Sequence, residues 1–191
     1  MAYENKTNLT QENIRRAFLK ILKDKKFDDV TINDIVQQAG IHRSSFYRYY
    51  EDKYQLAGHI ECYIMAHIRE NRKKWMQKNP DIDIADPNAM MHLFLAIDKY
   101  APAIHILLGP NGDPSFEVRL RHIMIEKFFE NSKYETASND KLSLLKEFSI
   151  DIIIQTYKYW ASPKKKLSAK ELADLLSDIF QKGFTYAIEN M

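Results

Sequence analysis

The chain has 191 residues, of which 45% are hydrophobic, and it carries 28 Lys and Arg against 26 Asp and Glu. This composition is too apolar for a disordered chain and too charged for a bundle of membrane helices. Only five Gly and six Pro are present, too few for a turn-rich β-sandwich, so the composition favours an all-α fold.

The first predicted helix follows a polar start. Residues 1–8 are polar and we expect them to be loose. Thr10 is expected to cap the helix, with Leu9 packing against Ile14. The residues that would form its buried stripe lie three or four positions apart: Ile14, Phe18, Ile21 and Leu22.

Two short helices are predicted on either side of Gly40. Thr31, with Asp34 three residues later, forms a variant of the capping box and predicts the start of the second helix. Glycine suits the positive φ of a sharp turn, and the third helix is predicted from Arg43 to Tyr50. The buried faces of the two helices would comprise Ile35, Val36, Ala39, Phe46 and Tyr50.

Longer helical patterns fill the rest of the chain. They cover residues 53–78, 88–109, 114–131, 140–161 and 168–189. Pro102 falls inside the second of these, so we expect a kink or break near residues 99–101. The predicted fold is therefore all-α.

The two short helices have the layout of a helix-turn-helix motif. In such a motif the second helix lies in the major groove of DNA, with its inner side anchored and its outer side free to contact bases and phosphates. Residues 43–50 fit this role because their outer face combines cations, hydroxyls and aromatic rings.

A family resemblance rests on the same residues. It is carried by Thr31, Ile32, Asn33, Asp34 and Ile35, by Ala39, Gly40 and Ile41, by the run from Phe46 to Tyr50, and by Lys53 and Leu56. Over about residues 10–56 the chain resembles the N-terminal signature of the TetR family of bacterial transcriptional regulators. Residues 107–116, LLGPNGDPSF, also resemble a loop of some regulators from Gram-positive bacteria. One departure is His42, which stands where the family usually has a capping Ser or Thr.

The resemblance implies a DNA-binding role for eight residues. The side chains that would read bases are Arg43, Ser44 and Arg48, since arginine can bind guanine through two hydrogen bonds. The side chains that would hold phosphates are Thr31, Ser45, Tyr47, Tyr49 and Lys53. It also implies a DNA-binding domain over residues 1–56 and an effector-binding and dimerisation domain over residues 57–191.

Wide apolar stripes on the last two long helices predict a homodimer, an arrangement that the resemblance also implies. The residues assigned to the interface are Phe148, Ile152, Leu172, Leu176, Ile179, Phe180, Gly183 and Phe184. The alternative is that these stripes belong to a larger core within one chain.

Aromatic and polar-tipped residues in the middle of the chain suit a pocket for an apolar or amphipathic effector, although an ordinary core needs the same residues. The candidates are Tyr63, His67, Phe94, Tyr100, His105 and Phe128. Arg119, Arg121 and His122 would suit an anionic ligand or, alternatively, a solvated helix face.

Other chemistries find little support. His59 and Cys62 lie 60° apart around a helix, but Cys62 and His67 lie 140° apart, so the three do not converge on a metal. We find no catalytic triad, phosphate loop or cofactor motif, and we expect no metal and no cofactor. A single cysteine and the lack of a signal peptide or an apolar span predict a cytoplasmic protein with no membrane partner.

The sequence therefore predicts a dimeric regulator, a repressor whose affinity for a double-stranded DNA operator falls when a small-molecule effector binds. One alternative is an activator whose C-terminal half binds a protein co-regulator. The alternative from a different class is an all-helical enzyme that uses histidines as acid and base.

Overall fold

The computed structural model describes residues 2–80, 82, 86–128, 140–183 and 187–188, and within these ranges the side chains of 1–7 and 126–128 are left out. The described residues form helices and no strand, which confirms the all-α expectation. The helices are α1 (Ala2–Ile21), α2 (Ile32–Ala39), α3 (Arg43–Tyr47), α4 (Lys53–Lys78), α5 (Pro87–Asp98), α6 (Ala101–Leu107), α7 (Pro114–Phe128), α8 (Asp140–Ala161) and α9 (Ala169–Lys182). None of the helices in these ranges is both long and apolar enough to cross a membrane.

The chain divides into two compact units. The first comprises residues 1–61 and 103–159, and the second comprises residues 62–102 and 160–191. The predicted domain boundary after residue 56 remains a prediction.

The core of the first unit is built where α1 packs on α2 and α2 packs on α3. Its fully buried side chains include Ile14, Phe18, Leu22, Phe27, Ile35, Phe46 and Leu56. The rings of Phe18 and Phe27 meet edge to face, with their centroids 6.1 Å apart. This core holds the short helices α2 and α3 in place.

The first and third helices have ends that differ from the prediction. The first helix begins at Ala2 rather than after Thr10, because residues 2–9 contain no Gly or Pro to stop it. Leu9 is 58% exposed and does not staple the helix. The third helix ends at Tyr47 rather than Tyr50. The backbone N–H groups of Tyr49 and Tyr50 both donate hydrogen bonds to the Phe46 carbonyl, which closes the helix with a turn.

The second unit is held together by α5 and α9, which pack on each other. Phe94 lies against Trp160, with ring centroids 5.4 Å apart, and Lys165 covers the Trp160 ring while it donates a hydrogen bond to Asp98. The break predicted near Pro102 is confirmed, since α5 ends at Asp98 and α6 begins at Ala101. Helix α9 ends at Lys182, because Gly183, with φ 91°, interrupts the helix predicted to reach residue 189; residues 187–188 are helical again.

Candidate nucleic-acid interface

The start of α2 is fixed by a capping box, as the sequence predicts. The Thr31 Oγ1 atom accepts a hydrogen bond from the Asp34 N–H at 3.2 Å, and Asp34 Oδ2 accepts one from the Thr31 N–H at 2.8 Å. Lys25 also donates to this carboxylate at 2.6 Å. These hydrogen bonds, the one from Lys25 foremost, lower the pKa of Asp34 from 3.8 to about 2.

Replacing Asp34 with alanine should destabilise the protein by about 1–2 kcal/mol at neutral pH, because the box and the ion pair are both lost. The pKa of Asp34 is lower in the folded chain, so its stabilisation is present above about pH 4 and disappears as the pH falls towards about 2. The difference in unfolding free energy between the native protein and Asp34→Ala, measured in urea, should shrink over that range. Asp29→Ala, which removes an exposed carboxylate, should have little effect. A difference that stayed constant from neutral pH to about pH 2 would contradict this assignment.

The turn and the inner side of α3 anchor the second helix of the motif. Gly40 has φ 65° and ψ 38°, the left-handed conformation that the sharp turn requires. Phe46 is fully buried and Tyr50 is 3% exposed, and the Tyr50 hydroxyl lies 3.2 Å from His59 Nδ1 on α4. Burial, with a smaller contribution from Arg15, lowers the pKa of His59 and favours the neutral ring. The inner side of α3 is therefore held against the core by buried aromatic side chains, as predicted.

The outer side of α3 is open to solvent. We call Arg43, Ser44, Tyr47 and Arg48 the recognition face: all four are exposed, and Tyr47 keeps 47% of its surface accessible. The Arg43 guanidinium donates to the Tyr47 hydroxyl at 3.0 Å. His42, just before the helix, makes no capping bond with its side chain, in agreement with the departure noted above. The structure thus brings the three predicted base readers together: Arg43 and Ser44 lie in α3, and Arg48 directly follows its last residue.

The predicted phosphate ligands have different surroundings. Thr31 is exposed, although its hydroxyl takes part in the capping box, and Ser45 and Tyr49 are partly buried. Lys53 is already engaged, because its ammonium donates to the carbonyls of Phe27, Asp28 and Val30 at 2.7–3.0 Å. An ammonium has three N–H donors, so a phosphate contact by Lys53 would have to replace one of these bonds.

We expect Lys53 to act mainly as a structural link between α4 and residues 27–30. Lys53→Met keeps the aliphatic stem and should lower the unfolding free energy by about 2 kcal/mol, because three carbonyls lose a charged donor. The slope of DNA affinity against salt concentration should stay unchanged. Loss of one phosphate contact in each protomer would instead reduce that slope by about 1.8. Lys26→Met, which removes a neighbouring exposed cation, is the control for stability.

One charged cluster was missed by the sequence reasoning. Arg119 on α7 donates two hydrogen bonds from Nη2 to Glu61, at 3.0 and 2.7 Å, and another to Asp113 at 2.8 Å. Glu61 is 4% exposed and Asp113 is 8% exposed. Burial raises the pKa of Glu61, and Arg119 offsets this only in part. Burial also acts to raise the pKa of Asp113, but hydrogen bonds from Arg119 and Ser115 outweigh it and lower that pKa.

The ion pairs of the α7 arginines match neither the anionic-ligand site nor the solvated helix face that the sequence suggested. Arg119 binds carboxylates of its own chain, and Arg121 pairs with Glu147 and Asp151 of α8, so internal ion pairs occupy both side chains. A signal was available in the sequence: Glu61 lies on the same helical stripe as Ile64 and Ile68, and an acid on an apolar stripe requires a cationic or hydrogen-bonding partner. Nothing in the sequence identified that partner, which is 58 residues away.

The turn before α7 binds the segment that follows α1. The Asn111 carbonyl accepts from the Phe27 N–H at 2.8 Å, and the Asn111 side chain donates to the Lys23 carbonyl at 3.2 Å. The turn is tight, because a Cβ on Gly112 would lie 2.0 Å from the Leu107 carbonyl oxygen. Residues 109–113, GPNGD, therefore form a tight turn that is hydrogen-bonded to the segment after α1.

The predicted effector residues are only partly brought together. Tyr63, His67 and Tyr100 form a ring cluster, with centroid distances of 4.2, 5.9 and 6.3 Å. Phe94 is 1% exposed and belongs to the core of the second unit. His105 is exposed and belongs to the first unit, and the side chain of Phe128 lies outside those described.

The predicted interface residues also fall into two groups. Phe148 on α8 is 52% exposed, and Leu144 and Leu145 beside it are 53% and 58% exposed. Leu172 and Leu176 are each 5% exposed; one chain already buries them, so they have little surface to offer a partner. The partly buried members are Ile152, Ile179, Phe180 and Gly183. Phe184 lies outside the described residues.

Comparisons with known proteins agree with this geometry. A family profile described as bacterial regulatory proteins, tetR family, matches residues 14–60, and one described as transcriptional regulator C-terminal region matches residues 87–182. A TetR transcriptional regulator from Streptococcus agalactiae 2603V superposes with a TM-score of 0.67 at 22% identity, over 94% of this chain and 97% of that one. The dihydroxyacetone kinase operon activator DhaS superposes with a TM-score of 0.55 at 17% identity, over 89% and 93%. No match was found among curated protein sequences. At these identities the structural likenesses show the fold alone.

Proposed function

Because the chain belongs to the TetR family of bacterial transcriptional regulators, we propose that it is a homodimeric repressor that leaves its DNA operator when a small-molecule effector binds. The observation that carries the proposal is the recognition face, whose cationic, hydroxyl and phenolic groups are exposed, while Phe46 in α3 and Tyr50 just after it are buried and hold the helix in place. A helix held in this way can enter a major groove without losing its own packing. The proposal assigns the chain no catalysis, metal or cofactor. A regulator that binds a chromosomal operator acts in the bacterial cytoplasm, and we propose that location for this chain.

Selection of binding sites from random duplexes tests the proposal. A dimer should enrich a palindrome whose half-sites are centred about 10–10.5 base pairs, or a multiple of that, apart. With roughly 6–10 phosphate contacts, affinity should fall by about 10³–10⁵ between 50 and 200 mM salt. Enrichment of no sequence, under conditions where the chain is folded, would contradict the proposed function.

The exposed apolar residues of α8 support the dimer. Leu144, Leu145 and Phe148 are each more than half exposed in the single chain, and they lie within about 100° of one another around the helix. Ile152, one turn after Phe148, continues this stripe. A second copy of the chain related by a twofold axis would cover it.

Phe148→Asp should therefore convert the dimer into a monomer. The change removes a large apolar contact worth about 1.5–3 kcal/mol in each subunit and places a charge in the interface. Sedimentation velocity should show the dissociation, and operator affinity should fall with it. Ser143→Asp adds the same charge at an exposed residue of α8 that lies about 100° or more around the helix from Leu144, Leu145 and Phe148, and it should leave the dimer intact. A Phe148→Asp protein that remains a dimer would remove α8 from the interface.

The Tyr63, His67 and Tyr100 ring cluster supports an effector site, since aromatic rings with polar tips suit an amphipathic ligand. Helix α4 is the proposed transmission element: Lys53 ties its start to residues 27–30, and Glu61 ties its third turn to Arg119. An effector weakens DNA binding only if it prefers the geometry in which the recognition helices are mis-spaced. Unchanged operator affinity with a ligand bound to saturation would contradict release by an effector.

Activation is the second candidate, because one structural relative is described as an operon activator. A reporter placed behind the selected operator distinguishes the two signs of regulation. A repressor lowers expression when the chain is present, whereas an activator raises it. A pull-down from the native host would also recover a protein co-regulator if the second candidate is correct.

A further inference from the structure

The guanidinium of Arg43 is held from two sides. Its Nη1 atom donates to Asn33 Oδ1 at 3.1 Å, and its Nη2 atom donates to the Tyr47 hydroxyl at 3.0 Å. The guanidinium carbon lies 5.5 Å from the centroid of the Tyr47 ring. Tyr47 belongs to the same helix as Arg43, whereas Asn33 belongs to α2, so Asn33 ties the base reader to the other helix of the motif.

The two bonds restrict Arg43 without using up its donors. A guanidinium has five N–H groups, so three remain for base edges when Asn33 and Tyr47 take one each. An arginine side chain has many rotamers and loses this conformational freedom when it is fixed. Part of that loss occurs before DNA arrives, because the side chain is already restricted.

Asn33 is itself well positioned. It occupies the first turn of α2, next to Asp34, whose carboxylate closes the capping box and binds Lys25. Arg48, the other predicted arginine reader, has no comparable support, since no side chain among the described residues bonds to it. The two arginines therefore differ: a side chain of α2 orients Arg43, whereas no such contact orients Arg48.

We propose that Asn33 is a specificity-determining positioning residue, which sets the base preference of the chain by holding Arg43 in one orientation. The inference rests on the proposed DNA-binding function. It predicts that Asn33 controls discrimination between bases at the position that Arg43 reads, and that the position read by Arg48 is independent of Asn33.

The experiment uses the full-length chain and the duplex selected by the native protein. Arg43→Ala first identifies the base pair at which discrimination depends on Arg43. Affinity is then measured for four duplexes that differ only at that base pair. Asn33→Ala should reduce the ratio between the best and the other bases by about 5- to 10-fold, within the range of a single bidentate contact. Asn33→Asp keeps an acceptor for Arg43 and should retain most of the ratio, although its charge lowers affinity for all four duplexes alike.

Controls separate this inference from the function on which it rests. Gln37→Ala, one turn further along the exposed side of α2, should leave the ratio unchanged, and thermal unfolding should show that each variant is folded. If the native chain selects no duplex, the proposed function fails. If it does select one, three results would overturn the role of Asn33: an unchanged ratio in Asn33→Ala, an equal loss of affinity for all four duplexes, or no base pair that depends on Arg43.

Discussion

Replacing Arg43 and Tyr47 together with alanine should lower operator affinity by about 10³-fold while leaving the protein folded. Both side chains are exposed. The Tyr47 ring meets the buried Phe46 ring edge to face, with centroids 5.6 Å apart, so its loss should cost about 0.5–1.5 kcal/mol of stability without unfolding the chain. A bidentate arginine contact is worth about 1–3 kcal/mol, and a dimer loses it twice, together with the contacts of Tyr47. The remaining binding should approach the affinity for random DNA, which depends on phosphates alone.

Gel-shift titration on the selected operator gives the affinity, and circular dichroism with thermal unfolding checks the fold. Arg69→Ala is the control for charge, because it removes an exposed cation of α4 outside the recognition face. It should bind the operator nearly as well as the native protein. A folded Arg43→Ala and Tyr47→Ala double variant that binds with native affinity would exclude α3 as the reading helix.

Replacing Arg119 with methionine should be the most destabilising single change among those considered. It would leave the Glu61 and Asp113 carboxylates, 4% and 8% exposed, without their cation. Breaking a buried pair costs about 3–5 kcal/mol. We expect about 3 kcal/mol, at the lower end, because the Arg119 side chain is 43% exposed.

The pH dependence identifies the cause of that loss. Burial already raises the pKa of Glu61 in the native protein, and without Arg119 that pKa should rise further. A carboxyl with a raised folded pKa favours the folded state as the pH falls through that pKa. The deficit of Arg119→Met should therefore be greatest at neutral pH and should shrink as the solution becomes acidic.

A double variant provides the control. Glu61→Leu together with Arg119→Met removes the most buried carboxylate along with its cation, while Asp113 keeps its hydrogen bonds from Ser115, so the double variant should recover part of the lost stability. Urea unfolding of the single and double variants measures both effects. A single variant as stable as the native protein, or a double variant less stable than the single one, would show that the cluster does not stabilise the fold.

Local chemistry explains the features that could be predicted from the sequence. The Thr31 capping box, the turn at Gly40 and the anchors Phe46 and Tyr50 each depend on residues within a few positions of one another, so their spacing is visible in the sequence. The break before Pro102 is also local, since proline lacks the N–H that a helix interior requires. The exposed recognition face follows from the same periodicity.

The features that could not be predicted depend on distant partners. The sequence indicates that Lys53 is cationic, but not that it meets three carbonyls of residues 27–30. The pairing of Arg119 with Glu61 spans 58 positions, and α-helical periodicity says nothing about which charges meet. Similarly, the stripe of α9 predicts a buried face but not that α9 packs on α5 or that one chain alone buries Leu172 and Leu176.

The most direct test of the central claim is a crystal structure of the protein bound to its selected duplex. The account predicts α3 of each protomer in successive major grooves, about 34–36 Å apart, with Arg43 on base edges. A complex in which DNA lies on another surface, or in which the recognition face remains in solvent, would contradict it.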